Sequence, residues 1–138
     1  MIHEEICPYE VAKLAKEKGF DVPTDRYYHI YDDVIEAQNS LEMTGDGCTD
    51  FYNSLNQCRC AAPTANLLQR WLREVKGIHI TLDCELNYEY DIFIYVWRID
   101  YRDSDNRNIV HSKYSKNAHY TYELALKEAI VYALVNLI

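Results

Sequence analysis

Three of the five cysteines, Cys48, Cys58 and Cys60, fall in one short stretch, and Cys58-Arg59-Cys60 is the nearest approach to a metal motif. Thiolates hold zinc because the ion is borderline-soft, and a closed structural site needs four ligands, which His3 or Cys7 would have to complete. The one-residue gap between Cys58 and Cys60 departs from the two-residue gap of zinc knuckles and ribbons. Free cysteines are therefore the expectation, and neither a metal nor a cofactor is expected. Five histidines (His3, His29, His79, His111 and His119) leave room for a Cys–His nucleophilic pair. Such pairs assemble in space rather than in sequence, and His79 and His111 fall at the polar positions of strand-like alternation. No glycine-rich phosphate loop, HExxH helix or GxSxG elbow is present. Asp32-Asp33 and Asp103/Asp105 read as turn and solvated-face acids. The chain is expected to be no enzyme and to have no catalytic residues; a zinc protein or Cys-dependent enzyme built on Cys48, Cys58 and Cys60 stands third among the readings.

The elements that would position these groups are clearest at the two ends. Val11, Leu14 and Ala15 share one side of a helix running from about Pro8 to Lys18, with Pro8 in the first turn, Gly19 as left-handed cap and Phe20 as its contact. A second helix follows Ala61-Ala62-Pro63-Thr64 and ends near Lys76, with Leu67, Leu68, Trp71, Leu72 and Val75 on its apolar stripe. Ile78–Leu86 alternates apolar and polar residues, the pattern of a half-buried strand. Tyr88–Arg102 is apolar on both faces, with Ile92, Ile94 and Val96 on one and Phe93, Tyr95, Trp97 and Ile99 on the other, so it belongs at the centre of a sheet. Residues 103–107 form a turn, Asn108–Ser115 returns as a third strand, and a last helix begins at Thr121 or Tyr122 with Leu126, Ala129, Ile130, Ala133, Leu134 and Leu137 inward.

The order is helix, ill-defined segment, helix, three strands, helix. It predicts an α+β fold: an antiparallel meander of three to four strands with helices packed on it. Residues 1–138 read as a single domain, with 21–60 an irregular segment and 61–138 the core unit. Within the irregular part, Tyr27–Tyr31 has the composition of a short strand and Met43–Cys48 that of a loop.

Val11–Phe20, Ala62-Pro63-Thr64, Leu67–Glu74, Ile78-His79-Ile80 and the closing Thr121–Leu126 with Glu128-Ala129 resemble an uncharacterised family of small phage-associated proteins from gut bacteria of the Bacteroides type. The resemblance covers the first helix and most of 61–138, and leaves 21–60 unmatched. It implies a prophage or mobile-element setting and carries no activity.

The 22 acidic and 14 basic residues give a net charge of −8. It is unevenly placed, with 12 acids against 4 bases in residues 1–58 and 10 of each in residues 59–138. Acidity argues against gripping phosphates. The helix–strand–strand–strand–helix order of residues 64–138 is also that of double-stranded RNA-binding domains, whose basic start to the last helix is represented here only by Lys113 and Lys116. The opposite nucleic-acid reading, an acidic DNA mimic, would rest on Glu4, Glu5, Glu10, Glu17, Asp21, Asp25, Asp32, Asp33, Glu36 and Glu42. With no leader and no apolar run long enough to span a bilayer, a cytoplasmic protein is expected.

The remaining candidate surface is Phe93, Tyr95, Trp97 and Tyr101. This row either packs beneath a helix or the 21–60 segment, or stays open as a contact for a protein partner or a second copy. The reading that follows is a non-enzymatic interaction or accessory protein, with a nucleic-acid-related role as the alternative.

Overall fold

A computed structural model describes residues 4–29, 41–43, 52–55 and 59–138. The expected places of Cys48, Cys58, His3, Asp32, Asp33 and Glu36, and of the loop at 44–48, lie outside these. The fold is α+β, with two antiparallel sheets among the described residues. The chain divides into two compact units, residues 1–68 and 69–138.

In the first unit, α1 (Tyr9–Glu17) opens on Pro8, whose carbonyl accepts from the amides of Val11 and Ala12. The helix ends as its sequence predicts. Gly19 takes φ +91°, its amide donates to the Lys16 carbonyl at 3.0 Å, and the Phe20 amide reaches back to the Ala15 carbonyl at 2.9 Å. These two bonds are the Schellman pattern, and Phe20 is buried behind it.

The stretch expected to be irregular contains a small sheet. β1 (Arg26–His29) runs between β2 (Leu41–Met43) and β3 (Arg59–Ala61), antiparallel to both. β1 falls where Tyr27–Tyr31 has the composition of a strand, whereas β2 and β3, three described residues each, show too little alternation to be read from sequence. Tyr9, Ala12, Tyr28, Cys60 and Ala62 form the core between α1 and this sheet, with Ile6 packed against them. The Tyr9 and Tyr28 rings meet edge to face at 5.6 Å, and the Tyr28 hydroxyl donates to the Cys7 carbonyl at 2.7 Å. Asn53, itself buried, donates to the Phe20 carbonyl and accepts from the Ala61 amide, at 2.7 and 2.8 Å.

α2 (Ala65–Lys76) contains the division between the units. Thr64 caps it by accepting from the Leu67 amide, and Gly77 at φ +68° ends it. Leu68, Trp71 and Leu72 are buried as expected, but Val75 in the last turn is exposed.

The second unit is the predicted meander. β4 (Ile78–Asn87) pairs with β5 (Ile92–Arg102), and β5 with β6 (Val110–Tyr114), giving the order β4-β5-β6. α3 (Tyr122–Asn136) packs on β5 and β4, burying Ala125, Leu126, Ala129, Ile130, Ala133 and Leu134. The turn between β5 and β6 is built on Asp103. Its carboxylate accepts from the Asp105 and Asn106 amides at 2.8 and 3.0 Å and pairs with His111 at 2.8 Å. These partners all favour the charged form and hold its pKa down at about 2.

Candidate functional site

Register fixes which side chains share a face. Trp97 opposes Leu82, Ile99 opposes Ile80 and Tyr95 opposes Cys84, so the odd-numbered residues of β5 share a face with the apolar row of β4. α3 covers this face. The Tyr132 ring lies 5.2 Å from that of Trp97, and the Trp97 indole N–H donates to Glu128 Oε2 at 2.6 Å. The same Glu128 oxygen takes Nε2 of His119. His119 and Tyr95 exchange backbone hydrogen bonds, each 2.8 Å, which ties the segment after β6 to the edge of β5. Ser115 completes the link, its amide donating to the Trp97 carbonyl and its Oγ accepting from the Trp97 amide.

The four residues singled out from sequence are therefore graded rather than alike. Trp97 is 4% exposed and belongs to the core. Tyr95 and Tyr101 are half-buried, the first with its ring edge against Tyr122 and the second 5.4 Å from the His111 ring. Phe93 is 60% exposed. The structure also exposes aromatic residues that sequence reasoning missed. Tyr122, 41% exposed, touches Tyr95 from the first turn of α3, and Tyr120, 73% exposed, precedes the Thr121 cap. Tyr88 and Tyr90 stand exposed in the β4–β5 connection. The signal for Tyr120 and Tyr122 was present in their places on either side of Thr121, because a helix cap's hydrogen bond fixes the backbone there. Here that is the Leu124 amide donating to Thr121 Oγ1 at 3.1 Å.

Cys84 and His119 both border Tyr95, on its two sides. Two strand spacings, roughly 9.5 Å, separate their backbones, well beyond the reach of a nucleophile–base hydrogen bond. Cys7 and Cys60 are buried, and burial raises the Cys60 thiol to about 11, so it is protonated near neutrality. Among the described residues no group of three or more His, Cys, Asp or Glu side chains is placed to hold a metal ion. No described helix is long and apolar enough to cross a membrane. A surface depression of about 390 Å³ runs along α1, lined by Tyr9, Glu10, Lys13, Leu14 and Glu17, all from one helix. Of the acids considered for DNA mimicry, Glu4, Glu5, Glu10, Glu17, Asp21 and Asp25 are exposed. Glu4 accepts from Asn66, and Asp21 from the Ser54 amide.

Compared with protein-family models, curated proteins and solved structures, the chain matches none.

Proposed function

We propose that this chain is a non-enzymatic interaction protein, an accessory of a prophage or mobile element, and that its contact surface is the aromatic rim where β5 meets the start of α3. The observation that carries the reading is the exposure of Phe93 on the same strand face as Tyr95, whose ring meets that of Tyr122 at 6.1 Å. Large aromatic side chains lose little rotamer freedom on binding and bring both apolar area and a polar tip, which is why they anchor interfaces. The cap at Thr121 and the Tyr95–His119 bridge fix the backbone from which Tyr122 and Tyr95 project.

The phage setting rests on the resemblance carried by the Trp71 helix, its Ala62-Pro63-Thr64 lead-in and the last helix. The test compares wild type with a Phe93→Ala/Tyr122→Ala double variant. Tagged wild-type chain is expected to retain a discrete partner from the host lysate, or a second copy of itself, and the double variant is expected to lose it while keeping its circular dichroism and melting profile. Retention of the same partner by the variant would sink the reading. A gel shift of double-stranded RNA or DNA that survives physiological salt would favour the nucleic-acid alternative, for which Lys113 and Lys116 are the exposed cations ahead of α3.

A further inference from the structure

α3 buries one side against β5 and β4, and the side turned away from them is apolar as well. At about 100° per residue, Val131 and Val135 fall within about 20° of Leu124 and opposite Ala133, the middle of the buried stripe. Leu124 is 51% exposed and Val135 55%, and Val131 between them is half-buried. A helix lying on a sheet ordinarily turns charged and polar residues outward at these positions, whereas a helix apolar all round is covered on both sides. The whole of Tyr122–Asn136 holds three charged residues: Glu123, Lys127 and Glu128. Lys127 and Glu128 flank the outer stripe, one on each side. The Glu128 carboxylate is held by Trp97 and His119, while Lys127 is exposed. The last turn of the helix contains no basic residue.

We infer that the outer stripe of α3 is the seam of a homodimer, in which two copies of the helix pack antiparallel about a two-fold axis at Val131. Such an axis requires a self-complementary patch, and this one qualifies. Lys127 and Val135 lie four residues to either side of Val131, so each Lys127 comes level with Val135 of the other copy. That is the carboxyl end of the opposing helix, which carries partial negative charge and no cation of its own in the last turn. The two Lys127 residues themselves stay about 12 Å apart along the seam, beyond the screening length in physiological salt. A parallel pairing would align the two helix dipoles and offer Lys127 a Glu128 that Trp97 and His119 already hold. A strongly basic partner, which a chain at −8 attracts elsewhere, gains nothing at a stripe where Lys127 and Glu128 cancel. By the same count of turns Tyr122 falls on the sheet side of α3, so the seam leaves the aromatic rim free and stands independently of the reading above.

Sedimentation of the full chain provides the test. The stripe is narrow beside the roughly 1,600 Å² of a standard interface, so the dimer is expected to be reversible. The mass should rise from one copy toward two as the concentration approaches about 1 mM, the weak end of the affinity scale. Leu124→Glu/Val135→Glu should hold the chain at one copy with its circular dichroism unchanged, since both side chains are exposed. Lys127→Glu should weaken the dimer about tenfold, because it sets an anion against the carboxyl end of each opposing helix. Orientation is read in a Cys84→Ser background, itself the blank. A short bismaleimide should join two copies through Val131→Cys but not through Leu124→Cys, whose two positions lie about 21 Å apart along an antiparallel seam. A single-copy mass throughout, a dimer that survives the two glutamates, or cross-linking through Leu124→Cys overturns the inference. So does a dimer that is lost with Phe93→Ala/Tyr122→Ala instead. The partner of the aromatic rim is then sought in the Leu124→Glu/Val135→Glu background, so that the two readings fail separately.

Discussion

β4 and β5 face each other over ten register pairs, from Ile78 with Tyr101 to Asn87 with Ile92, whereas among the described residues β1 meets each of its neighbours over three. The long ladder needs little help. Its backbone bonds run in series, and α3 lays a continuous apolar stripe across it. The small sheet is tied together by side chains that reach the backbone from elsewhere: Asn53 bridging Phe20 and Ala61, Tyr28 holding Cys7, and Lys16 donating to the Arg59 carbonyl at 2.6 Å. Arg59 in turn lies over the Tyr27 ring, 4.8 Å from its centre. Short strands bury too little surface to persist alone, so polar links of long sequence separation stand in for ladder length. The second unit concentrates its stability in packing, and the first spreads it over a few directional bonds.

The largest effect should come from the packing side. Trp97→Ala removes the ring against Tyr132 and the indole donor to Glu128, which keeps His119, and about 3–5 kcal/mol of stability should be lost, read by denaturant unfolding. Amide exchange should quicken first in β4, β5 and β6; faster exchange confined to β1 and β3 would break the comparison. Asn53→Ala follows. It leaves the Phe20 carbonyl and the Ala61 amide without their bonds and should cost about 2–4 kcal/mol, seen as loss of exchange protection at Ala61. If β4 and β5 lose protection equally, the two units do not open separately.

Thiol labelling sharpens the same contrast. Cys84 is exposed on β4 and should react with a disulfide reagent at the rate of a free thiol, while Cys60 should wait for the small sheet to open. Equal rates would show that the core around Tyr28 is not closed. The smallest effect is on the turn at Asp103. Its carboxyl is held below the usual value, so its contribution is present above about pH 4 and is lost as pH falls through about 2. The contact with His111 should loosen over that window, followed through the histidine ring signals, and Asp103→Asn should abolish the acid dependence.

How much of this was legible follows from the length of each pattern. The cap at Gly19 and Phe20 needs two residues in known order after a periodic stripe, and both were in view. The meander was legible because nine or more residues of alternation, bounded by Gly77 and by the Asp103 turn, leave one register that keeps the apolar row inward. Of the sheet around β1 only the strand composition of Tyr27–Tyr31 was in view, because three residues such as Arg59-Cys60-Ala61 carry no period and their partner lies some thirty positions earlier. The aromatic row of β5 was half legible. Alternation puts Phe93, Tyr95, Trp97 and Tyr101 on one face, but how far along that face α3 extends depends on where Thr121 starts the helix and on the Tyr95–His119 pairing, which no local pattern encodes. That reach decides why Trp97 is core and Phe93 is rim.

Gln69 spends its side-chain amide on the carbonyl of Ile80, at 3.1 Å. Because Tyr95 and Trp97 turn their peptide groups toward residues 115–119, the groups of Ile80 and its alternate neighbours on β4 point away from β5. Gln69 therefore occupies one rung on the outer side of the strand, where an added chain would begin to zip. Further along, Asp83 and Glu85 would meet copies of themselves in an in-register parallel stack. The molecule is thus guarded against fibril growth along its longest hairpin, and Gln69→Val together with neutral replacements of the two acids should turn a clear concentrated solution cloudy.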